Sequence, residues 1–268
     1  MSTNPVPSPE PLLVLVERSG GAVRLTLNRG ERFNALSSAM IAALQREVDA
    51  IAADSEARVV VLAAAGRGFC AGHDLKEMRS HSSDAAWQSR LFEDCNRLMV
   101  ALTRLPQPVI ARVHGIATAA GCQLVSMCDL AVASTDATFA LPGVNIGVFC
   151  TTPAVGVARN VPRKRAMEML LTGKPIDAAT ALAWGLVNRA VPAAELDAAV
   201  QELVDAVLSK SAAVIARGKR AFYDQLDRPL ADAYACAGKA MAEGVLLEDA
   251  AEGMDAFLQK RAPAWRGR

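Results

Sequence analysis

VHGIATAAGCQLVSMCDLAVAS, from Val113 to Ser134, reads as the end of a strand, a tight turn, a buried helix and a second strand. The residues leading into it, Val109 to Val113, are apolar with β-branched side chains at both ends, which suits a buried strand. His114-Gly115 interrupts the run, and six small residues follow, Ala117-Thr118-Ala119-Ala120-Gly121-Cys122. Small side chains let a helix begin close against another backbone. The first turn of a helix leaves N–H groups unpaired, and the positive end of its dipole lies there. Such an end serves close helix–strand packing, or it holds an oxygen that becomes negative during a reaction.

A second stretch has the same form. Arg58 to Ala63 reads as a buried strand and Ala64 to Gly68 as a turn. FCAGHDLKEM, Phe69 to Met78, then passes through Ala71-Gly72 into a helix beginning near Asp74. Two such turns facing each other present a pair of N–H donors, the arrangement of an oxyanion hole.

GFCAGHDLKEM followed by HGIATAAGCQLVSMCDLAVAS resembles the enoyl-CoA hydratase/isomerase (crotonase) superfamily. The likeness begins in NRGERFNALSSAM, Asn28 to Met40. It runs through EMLLTGKPIDAATALAWGLVNRAVP, Glu168 to Pro192, to EGMDAFLQKRAPAW, Glu252 to Trp265. The resemblance implies an α/β fold: a crotonase-like β/α spiral of repeated ββα units with an all-helical C-terminal region. It implies a core with an acyl-CoA site over residues 12–192 and a helical region for trimerisation and site covering over 193–268. It also implies that the backbone N–H groups of His73 and Ala120 grip the thioester carbonyl of an acyl-CoA. Coenzyme A contacts are implied for Arg32, Ala71 and His73, with Phe257 and Lys260 often reaching it from a neighbouring subunit. For Arg32 and Lys260 a solvated surface charge is the equal alternative. No cofactor is expected beyond the coenzyme A of the substrate.

The 268 residues, 52% of them hydrophobic, suffice for a large core. A net charge of +1, without a basic cluster interleaved with aromatics, argues against nucleic acid as a partner. No apolar run reaches the length of a membrane span. Six cysteines, at 70, 95, 122, 128, 150 and 236, lie mostly in apolar runs and form no C-x-x-C pair. They read as reduced core residues, and no metal site is expected. The first eleven residues, MSTNPVPSPEP, are Pro-rich and read as a disordered tail without an organelle address, so a cytoplasmic location is expected.

Leu12 to Val16 and Ala22 to Leu27 read as a hairpin around Gly20-Gly21. Ser37 opens a helix with Met40, Ile41, Leu44, Val48 and Ile51 on one face, and Trp87 to Leu105 forms another. Strand Leu130 to Ala133, a short strand Ala137 to Ala140 and a long loop Leu141 to Cys150 follow. Helices fill the rest. Val200, Val204, Leu226 and Leu246 exceed what one core can cover, which, with the resemblance, points to a trimer or a dimer of trimers.

Hydratases of the family use two glutamates. At the matching positions this chain has Gln123, a neutral amide, and Gly143, with no side chain. Asp74 and Glu77 are substitutes only if the fold turns them inward. The His73 ring is either a base or substrate contact, or it lies at the rim and only its N–H matters. Cys150, in the loop that should line the pocket, is either a reactive thiol near a helix start or a packing residue. His114 reads as a core-edge histidine bonded to backbone, and Asp74 as a helix cap. Three functions follow. The first is a nominal enoyl-CoA hydratase of fatty-acid and acyl-CoA metabolism with weak hydration. The second is a decarboxylase of malonyl-type acyl-CoA. The third is a non-catalytic acyl-CoA-binding protein.

Overall fold

The computed structural model describes residues 12–268; the expected tail, residues 1–11, lies outside them. Strands β1 (Val14–Ser19) and β2 (Ala22–Leu27) form the expected antiparallel hairpin. Its turn residues Gly20 and Gly21 have φ of +56° and +88°, the left-handed conformation that two-residue hairpin turns require. Helix α1 (Ser38–Ala52) is capped by Ser37, whose Oγ accepts from the Met40 N–H at 3.2 Å. Its five spaced apolar residues are all buried.

The chain continues as β3 (Val59–Ala64), α2 (Leu75–Ser80), α3 (Ala85–Arg104), β4 (Val109–Val113), β5 (Ala117–Thr118), α4 (Ala120–Met127), β6 (Leu130–Ser134) and β7 (Thr138–Ala140). Then come α5 (Thr151–Asn160), α6 (Arg163–Thr172), β8 (Ile176–Asp177), α7 (Ala178–Trp184) and β9 (Arg189–Val191). The last helices are α8 (Leu196–Leu208), α9 (Ala212–Gln225), α10 (Leu230–Gly244) and α11 (Glu248–Leu258).

A six-stranded sheet has the order β1-β2-β3-β4-β6-β9, parallel except for the first pair. A second sheet, β5-β7-β8, stands beside it. β4 runs on into β5 and then α4; β6 runs on into β7 and then α5. Each turn therefore gives one strand to each sheet and then a helix, which is the expected ββα spiral. Cys70 bridges Ala117 in parallel, so the turn after β3 joins the same stack.

Three expectations need correction. Ala117-Thr118 belongs to a strand, because Ala117 and Thr118 pair with Phe139 and Ala140; α4 starts only at Ala120. The segment after Leu141 contains a 3₁₀ turn, Pro142–Ile146, within the expected loop. The second half contains β8 and β9, two strands too short to carry a period-two pattern.

Val200 and Val204 are also corrected. Leu196, Ala199, Val200 and Val204 of α8 cover Val59, Val61, Ile110 and Val132 on the outer face of the large sheet. They are buried within one chain. Leu226 and Leu246 stay exposed. The helical region 193–268 thus divides: α8 belongs to the core, while α9 and α10 bury no residue of their own. One polar cluster ties α9 down. Lys219 Nζ donates to Asp129 at 2.6 Å and to the carbonyls of Leu102 and Gln107 at 3.0 and 2.9 Å. Tyr223 and the Val109 N–H complete the shell of Asp129. Among the described residues no helix is long and apolar enough to cross a membrane.

Candidate active site

The turn after β3 and the turn into α4 press against each other. Gly72 has φ +88°, and a Cβ there would meet the Ala119 Cβ at 2.8 Å and the Ala120 nitrogen at 3.2 Å. Ala119 itself has φ 49° and ψ −119°, a conformation L-residues adopt only under strain. The strained residue is held from both sides. Its N–H donates to the Ala140 carbonyl at 2.9 Å, and the preceding Thr118 N–H donates to the Cys70 carbonyl at 2.9 Å. On the facing turn, Leu36 donates to the Gly72 carbonyl at 2.7 Å and accepts from the Asp74 N–H at 3.2 Å. Between these bonds, the N–H groups of His73 and Ala120 have no acceptor among the described residues.

The His73 ring does not lie out at the rim. It stands edge-on to Phe92 of α3, with ring centroids 5.3 Å apart and planes at 85°. Both ring nitrogens are shielded from solvent and have no hydrogen-bond partner among the described residues. Burial pushes the imidazole below its usual pKa; the Leu36 backbone and the Glu77 carboxylate act in the opposite direction. Gln123, in the first turn of α4, is 3% exposed, and its Oε1 also lacks a partner.

Gly143 lies in the 3₁₀ turn with no room for a side chain. A Cβ would collide with the Val148 carbonyl and sit 2.9 Å from Cys150 Sγ. The Gly143 N–H donates to that sulfur at 3.3 Å. Cys150 is the N-cap residue of α5, and its burial raises the thiol pKa, partly offset by the Gly143 N–H. A neighbouring thiol, Cys122, is pushed up to about 12 by burial. Both are protonated near neutrality, which favours packing over thiolate chemistry.

The two candidate substitute carboxylates are engaged elsewhere. Asp74 caps α2 by accepting from the Lys76 and Glu77 N–H groups at 3.1 and 3.3 Å. Glu77 accepts from the Ser38 N–H at 2.9 Å and the Ser38 hydroxyl at 2.5 Å. His114 Nε2 bonds the Gly66 carbonyl at 2.9 Å, as a core-edge histidine should.

Of the expected coenzyme A contacts, Ala71 and His73 share one turn, and the Ala71 N–H donates to the carbonyl of Phe33, the residue after Arg32, at 2.9 Å. Phe257 is not brought to them within one chain. It lines an apolar cavity of about 830 Å³ between α9, α10 and α11. Lys260 follows α11 at φ 56°. Sequence reasoning missed Ala119 and Phe92. Alanine gives no signal of a left-handed conformation, and Phe92 flanks the buried stripe of α3 without belonging to it.

The description "Enoyl-CoA hydratase/isomerase" belongs to the family model that matches residues 17–268. The chain belongs to the enoyl-CoA hydratase/isomerase family. The rat protein named enoyl-CoA hydratase domain-containing protein 3, mitochondrial, is 42% identical over 97% of this chain and 86% of its own length. A solved structure of an enoyl-CoA hydratase from Mycobacterium smegmatis superposes with a TM-score of 0.93 at 52% identity, covering 96% of this chain and 99% of the other. The human domain-containing protein 3 superposes with a TM-score of 0.91 at 42% identity, over 94% of this chain and 100% of the other. These likenesses establish the crotonase fold. The expected cytoplasmic location is corrected by them: the rat, mouse and human relatives, at 42–43% identity, carry "mitochondrial" in their names.

Proposed function

We propose that this chain binds an acyl-CoA thioester and stabilises its enolate between the backbone N–H groups of His73 and Ala120, and that it hydrates enoyl-CoA poorly. The observation that carries the reading is the pair of unengaged N–H groups on touching turns, together with a Gly143 whose side-chain space is filled. Donors fixed before the reaction stabilise developing oxyanion charge without reorganising. Hydration further needs a base for water and an acid for C2, and each such group contributes roughly 10²–10⁴-fold. Gln123 and Gly143 supply neither.

Arg32 and Ala71 hold the coenzyme A portion, and Phe257 and Lys260 reach it from an adjoining subunit of a trimer or dimer of trimers. Support for that assembly is the exposed apolar surface of the terminal helices, including Phe222, Met241, Leu246 and Phe257. A stable monomer in sedimentation at micromolar concentration overturns the assembly. No cofactor beyond the coenzyme A of the substrate enters the proposal.

The test combines crotonyl-CoA binding with turnover. Bound crotonyl-CoA should show a thioester carbonyl stretch shifted to lower frequency, and hydration should run well below about 10 s⁻¹, a typical enzyme rate. An unshifted carbonyl removes the oxyanion assignment. Hydration at about 10 s⁻¹ or faster shows that another group supplies the protons. A parallel incubation with methylmalonyl-CoA that releases CO₂ assigns the enolate chemistry to decarboxylation instead.

A further inference from the structure

A hollow of about 990 Å³ lies between α9, α10 and the C-terminal end of α3. None of its residues belongs to the turns that carry the His73 and Ala120 N–H groups. Its charges are unbalanced: Arg104, Arg217, Arg220, Arg228 and Lys239 line it against two carboxylates, Asp224 and Glu243. That is a surplus of three positive charges in a chain whose net charge is +1, so the remainder of the chain is net negative. The helical repeat gathers them. Arg217, Arg220 and Asp224 recur at three- and four-residue steps on one face of α9, and Lys239 and Glu243 lie one turn apart on α10. The carboxylates do not use up the donors. Asp224 lies between Arg104 and Arg220, at 3.4 and 3.7 Å, and Glu243 meets Arg217 at 2.7 Å. Arg228 donates its Nε to the Asp224 carbonyl at 2.6 Å, and Lys239 has no ion pair among the described residues.

We propose that this hollow is a second ligand site, which binds a small polyphosphate anion and bridges Arg104 of the core to α9 and α10. Like charges held together repel, and an anion seated among them turns that repulsion into attraction. Each guanidinium keeps N–H groups free, and its planar fork matches two phosphate oxygens at once. Three surplus charges spread along two helices and a helix end suit a chain of phosphates better than one compact ion. The volume falls in the range that encloses a small organic ligand. A phosphate chain is common to inorganic polyphosphate and to nucleoside di- and triphosphates. Bridging matters because α9 and α10 bury no residue of their own, whereas α3 buries five. An anion held by both therefore ties the loosest helices of the chain to its core.

The experiment titrates the full chain with tripolyphosphate in metal-free buffer, reading affinity by calorimetry. Binding should be saturable at low salt, weaken at least about tenfold on going to about 0.3 M NaCl, and exceed that of orthophosphate at least about tenfold. Arg220→Gln with Lys239→Gln, both exposed side chains, should lose at least about tenfold in affinity, while Arg32→Gln should stay within a few-fold of wild type. Saturating tripolyphosphate should also slow deuterium uptake from Ala212 to Gly244. ATP in place of tripolyphosphate separates the sources: equal affinity assigns recognition to the phosphate chain, and at least about tenfold tighter binding assigns it to a nucleotide. Absence of saturable binding to wild type overturns the proposal, a result that needs no variant to fold. So does wild-type affinity in the double variant, or uptake in α9 and α10 that tripolyphosphate leaves unchanged. Loss of binding in Arg32→Gln places the anion at the coenzyme A contacts and overturns the second site while leaving the acyl-CoA reading intact.

Discussion

The sulfur of Cys150 accepts the Gly143 N–H at 3.3 Å and stands 2.9 Å from where a Gly143 Cβ would be. Together with the Val148 carbonyl oxygen, this thiol fills the space that a side chain at position 143 would need. Gly143→Ala should destabilise the fold by about 1–3 kcal/mol, the usual cost of overpacking. Urea unfolding measures it, and a midpoint equal to wild type contradicts the packing described. For the same reason Gly143→Glu is not a route to hydratase activity. Gln123→Glu alone keeps the shape and should raise crotonyl-CoA hydration, at some cost in stability for a buried carboxyl.

Ala119 and Gly72 make an opposite pair of expectations. Ala119→Gly relieves the strain at φ 49°, ψ −119°, and should stabilise by about 1 kcal/mol once the extra chain entropy of glycine is subtracted. Gly72→Ala places a methyl against the Ala119 Cβ at φ +88° and should destabilise. Thermal melts of the two variants moving the same way would contradict the contact.

Lys219 and Asp129 form a nearly enclosed ion pair, with side chains 7% and 16% exposed. Asp129→Ala leaves the Lys219 ammonium without its partner and should cost about 3–5 kcal/mol. Replacing both together, Lys219→Met with Asp129→Leu, should cost less than Asp129→Ala alone. A double-mutant cycle in urea decides this; strict additivity would show no coupling.

Acid should weaken the fold in two stages. Burial lowers the pKa values of His73 and His114 in the folded chain below their ordinary 6.5. As pH falls below about 6.5 the unfolded chain takes up protons first, so stability present in full above that pH is lost as pH drops through the folded values. A second loss follows in the carboxylate range. Asp197 is held low chiefly by its bonds to Arg112, while Ser211 and the N–H groups of Arg266 and Gly267 hold Asp249 low against its burial. Equal urea midpoints at pH 8 and pH 5.5 would contradict the first stage.

The local signals were readable where one residue does one job. Ser37 and Asp74 act as caps, the apolar faces of α1 and α3 are buried, and His114 meets a backbone carbonyl. What escaped reading depends on partners distant in sequence. Arg189–Val191 is a strand only because β6 lies beside it. Val200 and Val204 show an apolar face, but nothing in their spacing says that the large sheet covers it. At the site, the residues of both turns were legible from their small side chains. The strain at Ala119 and the filled space at Gly143 arise from three-dimensional closure and leave no trace in residue type.

The absence of buried residues along α9 and α10 also sets how these helices open and close. Amide protection reports the free energy of the opening that exposes each N–H. In a lone chain, amides from Ala212 to Gly244 should exchange by shallow local fluctuations, while those of β3 and β4 wait for global unfolding. Covering the same helices with another subunit should slow their exchange without touching the sheet. Deuterium uptake across this segment, followed against protein concentration, thus becomes a gauge of association read from the protein's own backbone.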